Sequence, residues 1–170
     1  MTQGLIRFQH SGQSHFVTFS CYRRHARLNA PTICALFVKA PEIARRQFSL
    51  RVYGYVVMPE HVHLLLSEPT SGNLADVIHF LKLSSSKQRQ SISAEPIDRG
   101  HFWQKRYYDR NIRGYADFME KLRYIHRNPV GRGLCGKPAD WQWGSFRHYA
   151  LGETGTVEIE SEWTAKTSSS

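Results

Sequence analysis

In the segment HVHLLLS, His61 and His63 are separated only by Val62. On a β-strand, residues i and i+2 share a face about 6.6 Å apart, so both imidazoles point one way while the valine points the other way, into a core. Two such rings can converge on one metal ion at about 2.0–2.2 Å each. The same pattern also arises as two unrelated histidines on a half-exposed strand. A histidine-triad nucleotide hydrolase would need a third alternating histidine, and that position is Leu65. A second pair stands in YIHRNP, where Tyr124 and Asn128 lie four residues apart and therefore on one helix face. Phe118, Leu122 and Ile125 form the apolar stripe of that helix. At 100° per residue, Tyr124 lies about 140° from the centre of the stripe and Asn128 about 100°. The plain alternative is a surface tyrosine beside a helix end, with Asn128 before Pro129 for capping reasons.

Together the two pairs describe a chemistry. A phenol has an ordinary pKa near 10 and is a poor nucleophile at neutral pH. It attacks a phosphodiester when a metal polarises a non-bridging oxygen and the phenol is held in line. The product is a phosphotyrosine ester, which conserves the cleaved bond for rejoining; attack by water would lose it. His61, His63 and Asn128 make a borderline ligand set for Mg²⁺ or Mn²⁺, and the imidazoles suit Mn²⁺ better.

The elements that must position these groups can be read from periodicity. His15–Tyr22 alternates and is rich in β-branched and aromatic residues, which predicts a strand. Residues 32–47 read as a helix broken or kinked at Pro41. Leu50–Met58 and His61–Ser67 predict an antiparallel hairpin around Pro59–Glu60. Leu74, Val77, Ile78 and Leu81 form an amphipathic helical stripe, expected to fray into a loop over the Ser-rich Ser84–Glu95 stretch. Trp103–Ile112 reads as a fourth strand, and 115–128 as a helix ended by Pro129. The order β-α-β-β-α-β-α matches an α+β, ferredoxin-like (RRM-like) sandwich with an antiparallel sheet and an additional C-terminal helix carrying the tyrosine.

At 170 residues the chain has room for one compact domain. The expected division is a domain over 1–150 and an acidic, partly disordered tail over 151–170. Three cysteines without CxxC spacing suggest neither a disulfide framework nor a zinc finger. No apolar run approaches the roughly 20 residues of a membrane span, and Met1–Phe16 has no signal-peptide core. A cytoplasmic, nucleoid-associated protein without a membrane partner is the resulting expectation. The formal charge is +9 and is unevenly placed. Residues 1–60 carry 8 basic and 2 acidic groups, 101–150 carry 10 and 4, and 61–100 balance at 4 and 4. A basic, aromatic-rich chain of this kind points to nucleic acid before membrane.

YGYVVMPEHVHLLLSEP (Tyr53–Pro69), FWQKRYYDRNIR (Phe102–Arg113) and KLRYIHRNPVGRGL (Lys121–Leu134) resemble the REP-associated tyrosine transposases, a branch of the HUH single-strand DNA transposases. The resemblance runs from about Phe16 to Tyr149. It implies that His61 and His63 are metal ligands, Asn128 the third ligand and Tyr124 the nucleophile. It further implies a ferredoxin-like fold and, as substrates, single-stranded DNA hairpins from repetitive extragenic palindromes. Family members include monomers and homodimers.

The candidate DNA surface follows from basic residues interleaved with aromatics. Lys105, Arg106, Arg110 and Arg113 alternate with Phe102, Trp103, Tyr107 and Tyr108, so cations can track phosphates while rings stack on unpaired bases. About half of those aromatics are expected to be core. Arg23 and Arg24 follow the first strand, and Lys121 and Arg127 flank the tyrosine on its helix. WQWGSFRHY (Trp141–Tyr149) reads as a packing lid rather than a DNA contact. Glu153, Glu158, Glu160 and Glu162 suggest an acidic cover over the basic groove. Two other functions fit the same composition: a non-catalytic nucleic-acid-binding regulator on this fold, and a metal-dependent hydrolase that uses water. Neither requires Tyr124.

Overall fold

The computed structural model describes residues 14–92, 101–162 and 164. Four strands, β1 (Ser14–Ser20), β2 (Val52–Val57), β3 (His61–Ser67) and β4 (Tyr108–Asn111), form one antiparallel sheet in the order β2-β3-β1-β4. Five α-helices accompany it: α1 (Pro31–Phe37), α2 (Lys39–Gln47), α3 (Leu74–Ile92), α4 (Tyr115–Gly131) and α5 (Phe146–Leu151). The strand order and the succession of elements are those of the expected ferredoxin-like sandwich.

Strand alternation divides the interior in two. Val17 and Phe19 of β1 and Val62 and Leu64 of β3 face α1, α2 and α3, where Phe37, Ala44, Val77, Ile78 and Leu81 close the larger core. The alternate positions, Phe16 and Leu65, face α4 and pack with Val56, Met58, Phe118, Leu122 and Ile125. His61 and His63 share the register of Leu65, so the pleat carries them to the side of α4. The helix can lie close because residue 54 is glycine: a Cβ there would stand 2.6 Å from Leu122 Cδ1.

Several local expectations shift. The helical break falls at Val38, between α1 and α2, whereas Pro41 sits within the first turn of α2, where a missing N–H costs nothing. The α3 helix starts at a reciprocal cap: Asn73 Oδ1 accepts from the Asp76 N–H and Asp76 Oδ2 from the Asn73 N–H, at 2.9 and 3.0 Å. It does not fray at Ser84 but runs on to Ile92, and the remainder of the Ser84–Glu95 stretch, 93–95, lies outside the described residues. Ser85 explains part of this, because its hydroxyl donates back to the Leu81 carbonyl at 2.7 Å and accepts from Trp103 Nε1 at 3.0 Å. β4 is shorter than the expected Trp103–Ile112; Trp103 makes only an isolated bridge to Cys21. Pro129 does not end α4, which continues to Gly131. Cys21 and Cys34 are buried, and burial pushes the Cys34 thiol up to about 11.

Trp141–Tyr149 does serve as a lid, and its role is to close the outer edge of β2. Trp141 Nε1 donates to the Val57 carbonyl at 3.1 Å, the Ser145 N–H to that of Tyr55 at 3.0 Å, and Tyr149 Oη to that of Tyr53 at 2.6 Å. An open edge strand would otherwise be a template for association. Farther along the same edge, Ile159 bridges to Val52 and the Glu160 N–H donates to the Val52 carbonyl. Where the sequence suggested a tail set off after residue 150, Val157 and Ile159 are buried in the larger core. Glu158 does not cover the basic groove but pairs with Arg45 of α2 at 3.0 Å. The end of the chain expected to be disordered lies, apart from Thr164, outside the described residues after 162.

Candidate active site

The site is built on the row where β3 meets β1. His63 lies directly across from Thr18, and His61 across from Ser20. Thr18 Oγ1 is 2.7 Å from His63 Nδ1, Glu60 Oε1 is 3.0 Å from His61 Nδ1, and the two Nε2 atoms are 3.0 Å apart. The Glu60 carboxylate assigns the tautomer of His61, while the Thr18 hydroxyl allows either one of His63. A carboxylate can only accept, so His61 carries its proton on Nδ1 and turns the Nε2 lone pair toward His63. His63 then donates from Nε2 and accepts the Thr18 hydroxyl proton at Nδ1. The hydroxyl can equally accept from Nδ1, which would free both Nε2 lone pairs for one cation. Carboxylate and hydroxyl groups behind ligating imidazoles are the usual arrangement at metal centres.

Both rings are buried, and burial keeps them neutral. It pushes His63 down to about 3, assisted by His61 and Arg24, and it also lowers His61 despite the opposing Glu60 carboxylate. Burial opposes the charge on Glu60 itself, but hydrogen bonds from Arg132 and His61 hold that carboxyl below its ordinary range.

The α4 helix crosses this row with three residues one turn apart. The Tyr124 ring lies edge-on to His63 at 5.3 Å and to Phe16 at 6.0 Å, and it is 50 % exposed. Two turns later, Arg132 Nη1 is 2.6 Å from Glu60 Oε1. Asn128 lies between these two residues in the chain and on the same helix face. Its Oδ1 is buried with no hydrogen-bond partner among the described residues. An unsatisfied buried carbonyl costs about 1–3 kcal/mol, and a cation held with the two Nε2 atoms would satisfy it. The donor set of two neutral imidazoles and one orphaned amide oxygen thus fits a divalent ion. Among the described residues no three His, Cys, Asp or Glu side chains form such a group.

The candidate DNA contacts fall into distinct places. Arg23 and Arg24 form a turn after β1, each with a left-handed φ, 53° and 54°, uncommon for non-glycine residues. Arg23 lies over the Tyr22 ring, while Arg24 reaches back to Ser20 and Glu60. Lys105, Arg106, Arg113 and Arg127 are exposed. Arg110 is committed to Asp117 at 3.2 Å, tying β4 to the first turn of α4. Lys121, largely buried, lies with its Nζ 5.8 Å over the Phe16 ring on the floor of the site. Tyr107 packs against the helix-side core and receives Lys82 at 5.9 Å. Phe102 and Trp103 are buried in that core, whereas Tyr108 remains open.

Thr18 and Phe16 had no motif to announce them, and Gly54 and Arg132 lie within the quoted segments without the contacts they make here being legible. Phe16 stacks on His63 at 5.3 Å and 20°. The only sequence signals were the β-branched alternation around Thr18 and an isolated glycine inside a strand pattern, which marks a close approach.

The chain matches the family described as Transposase IS200 like over residues 8–128. It is 32% identical over 97 residues to a Haemophilus influenzae protein named as a REP-associated tyrosine transposase, a match covering 53% of this chain and 55% of that protein. To the REP-associated tyrosine transposase of Escherichia coli it is 24% identical over 140 residues, covering 82% of this chain and 80% of the relative. Among solved structures, a REP-associated tyrosine transposase bound to a REP hairpin shares the fold with a TM-score of 0.69 and 22% identity, over 89% of this chain and 87% of that one.

Proposed function

Because this chain belongs to the IS200-like transposase family, we propose that it nicks and rejoins single-stranded DNA beside REP-type hairpins through a covalent tyrosine intermediate. The observation that carries the reading is the placement of Tyr124, half exposed and edge-on to His63, one turn from the orphaned Asn128 Oδ1. The hairpin substrate is suggested by the solved relative with a bound REP hairpin. A non-catalytic binding module would have no use for a buried amide oxygen without a partner on the helix that brings Tyr124 to His63.

In this mechanism His61, His63 and Asn128 would hold a Mg²⁺ or Mn²⁺ ion, whose charge polarises a non-bridging oxygen of the scissile phosphate. Glu60 keeps His61 in the ligating tautomer, and the Thr18 hydroxyl can accept from His63 Nδ1 and so leave its Nε2 free. Phe16 supports both the His63 ring and the Tyr124 ring, which limits the directions from which the phenol oxygen can approach. Lys121 adds positive charge on the same floor, suited to a phosphate. The phenol oxygen forms its bond to phosphorus as the bond to the 3′ oxygen breaks. The phenol proton is lost to solvent and the departing 3′ oxygen is protonated, leaving a 5′-phosphotyrosine ester and a free 3′-hydroxyl. Rejoining reverses the step with a 3′-hydroxyl as nucleophile.

The test is a denaturing gel of a labelled hairpin oligonucleotide incubated with the protein and Mn²⁺. A protein-linked strand is expected from the wild type and none from Tyr124→Phe, which should still bind the hairpin. Persistence of the adduct in the Phe variant overturns the assignment, and free 5′-phosphate ends in place of an adduct would mean hydrolysis by water.

A further inference from the structure

Across the sheet from the histidine pair, on the same face, the row continues from His63 to Thr18 and then to Tyr108. Tyr108 is 56 % exposed, the most open ring on this face, and stands edge-on to Phe16 at 6.5 Å. Two strand spacings of about 4.8 Å place it on the order of 10 Å from His63. The α4 helix packs on β2 and β3, and here a cleft of about 730 Å³ opens, lined by eight residues that include Thr18, Arg24, Lys105, Arg106, Tyr107 and Tyr108. Three of the eight, Arg24, Lys105 and Arg106, are cationic. The nearest carboxylate in the strand, Asp109, points to the other face and pairs with His15 at 2.8 Å.

We propose that this cleft is the subsite for the unpaired nucleotide adjoining the scissile phosphate, with its base stacked on Tyr108 and its backbone held by Lys105 and Arg106. The inference rests on the nicking activity proposed above and adds the place where the strand leaves the reacting centre. The neighbouring aromatics cannot take this role. Phe102 and Trp103 are buried, and Tyr107, which also lines the cleft, is half-buried with its ring packed on the helix-side core beside Lys82. Phe16, the remaining ring on this floor, is buried and already sandwiched among His63, Tyr124 and Tyr108. A ring face open to solvent beside exposed cations is the combination that binds single strands without reading base edges. Tyr108 is therefore a positioning residue for the strand, and its ring rather than its hydroxyl is what matters.

The test uses the full chain and a poly(dT) oligonucleotide carrying one 5-iododeoxyuridine. Irradiation should join the strand to Tyr108, located by mass spectrometry of the peptides. In fluorescence anisotropy, Tyr108→Ala should weaken binding about ten-fold, while Tyr108→Phe and Tyr108→Trp retain it. Unchanged affinity in Tyr108→Ala overturns the subsite, as does a crosslink on the opposite side of the 101–107 segment, at Tyr22 or His101. The Mn²⁺ adduct assay keeps the two readings apart. An adduct formed by the wild type together with full affinity in Tyr108→Ala removes the subsite and leaves the nicking activity. Lost affinity in Tyr108→Ala with no adduct from the wild type leaves the subsite and removes the nicking.

Discussion

Arg132, at the C-terminal end of the tyrosine helix, places Nη1 2.6 Å from Glu60 Oε1, and that same oxygen lies 3.0 Å from His61 Nδ1. One carboxylate thus joins the helix bearing Tyr124 and Asn128 to the strand bearing the histidines. Without it, the two halves of the site would be tied together chiefly by apolar packing, which is less directional than a charge-assisted hydrogen bond.

Replacing Glu60 with Gln, or Arg132 with Ala, should weaken Mn²⁺ binding by about 10–100-fold, the usual effect of losing a partner behind a ligating histidine. Titration of free Mn²⁺ by electron paramagnetic resonance measures this without any DNA. Affinity equal to wild type in both variants would show that the clamp does not orient His61.

Asn128→Ala separates cost from use. Removing a buried, unpaired carbonyl should leave the metal-free protein as stable as wild type or more stable, by up to about 1 kcal/mol. The variant should at the same time lose most of the rise in melting temperature that saturating Mn²⁺ gives the wild type, since only binding to the folded state stabilises. A marked drop in melting temperature without metal, or an undiminished Mn²⁺ response, would count against Asn128 as a ligand.

Gly54→Ala introduces a Cβ 2.6 Å from Leu122 Cδ1 and 3.3 Å from Ser145 Oγ. Overpacking at such a contact costs about 1–3 kcal/mol and should push α4 outward. Urea unfolding measures the loss, and adding Leu122→Val should recover part of it by making room. No recovery in the double variant would mean that the strain lies in the β2 backbone.

Glu42 ties the C-terminal segment to α2. Burial opposes its charge, but hydrogen bonds from Arg45, the Glu158 N–H and Arg46 outweigh that and hold its carboxyl down at about 2. A depressed carboxyl adds stability above its unfolded value near 4.5 and loses that stability as pH falls toward about 2. Glu42→Gln should therefore cost about 1–3 kcal/mol at pH 7. The difference from wild type should shrink steadily below pH 5, as read from paired denaturant titrations. A difference that is constant with pH would assign the loss to geometry rather than charge.

The proposed reacting groups were legible because each pair is encoded within one element. A period of two places His61 and His63 together and Val62 in the core, and a period of 3.6 places Tyr124 and Asn128 together beside the stripe of Phe118, Leu122 and Ile125. The strand order followed from the succession of elements in the same way. The corrected boundaries show the limit of that reading. Pro41 and Pro129 looked like breaks, yet a proline in a first turn lacks only an N–H that had no partner, and α4 carries its own proline within its last turn. Ser85 looked like a loop residue and became a helix residue through Trp103, eighteen positions away.

By itself, then, the sequence determined which side chains share a face, because that depends only on backbone geometry and near neighbours. Tertiary structure decided which faces meet. Register between β1 and β3 made Thr18 the partner of His63, and pairing of β1 with β4 set Tyr108 on the same row. The close approach at Gly54 set the height of α4, and Arg132 found Glu60 only once that height was set. Such contacts join residues far apart in the chain. Their distances emerge from how whole elements pack, a cooperative outcome that no local spacing contains.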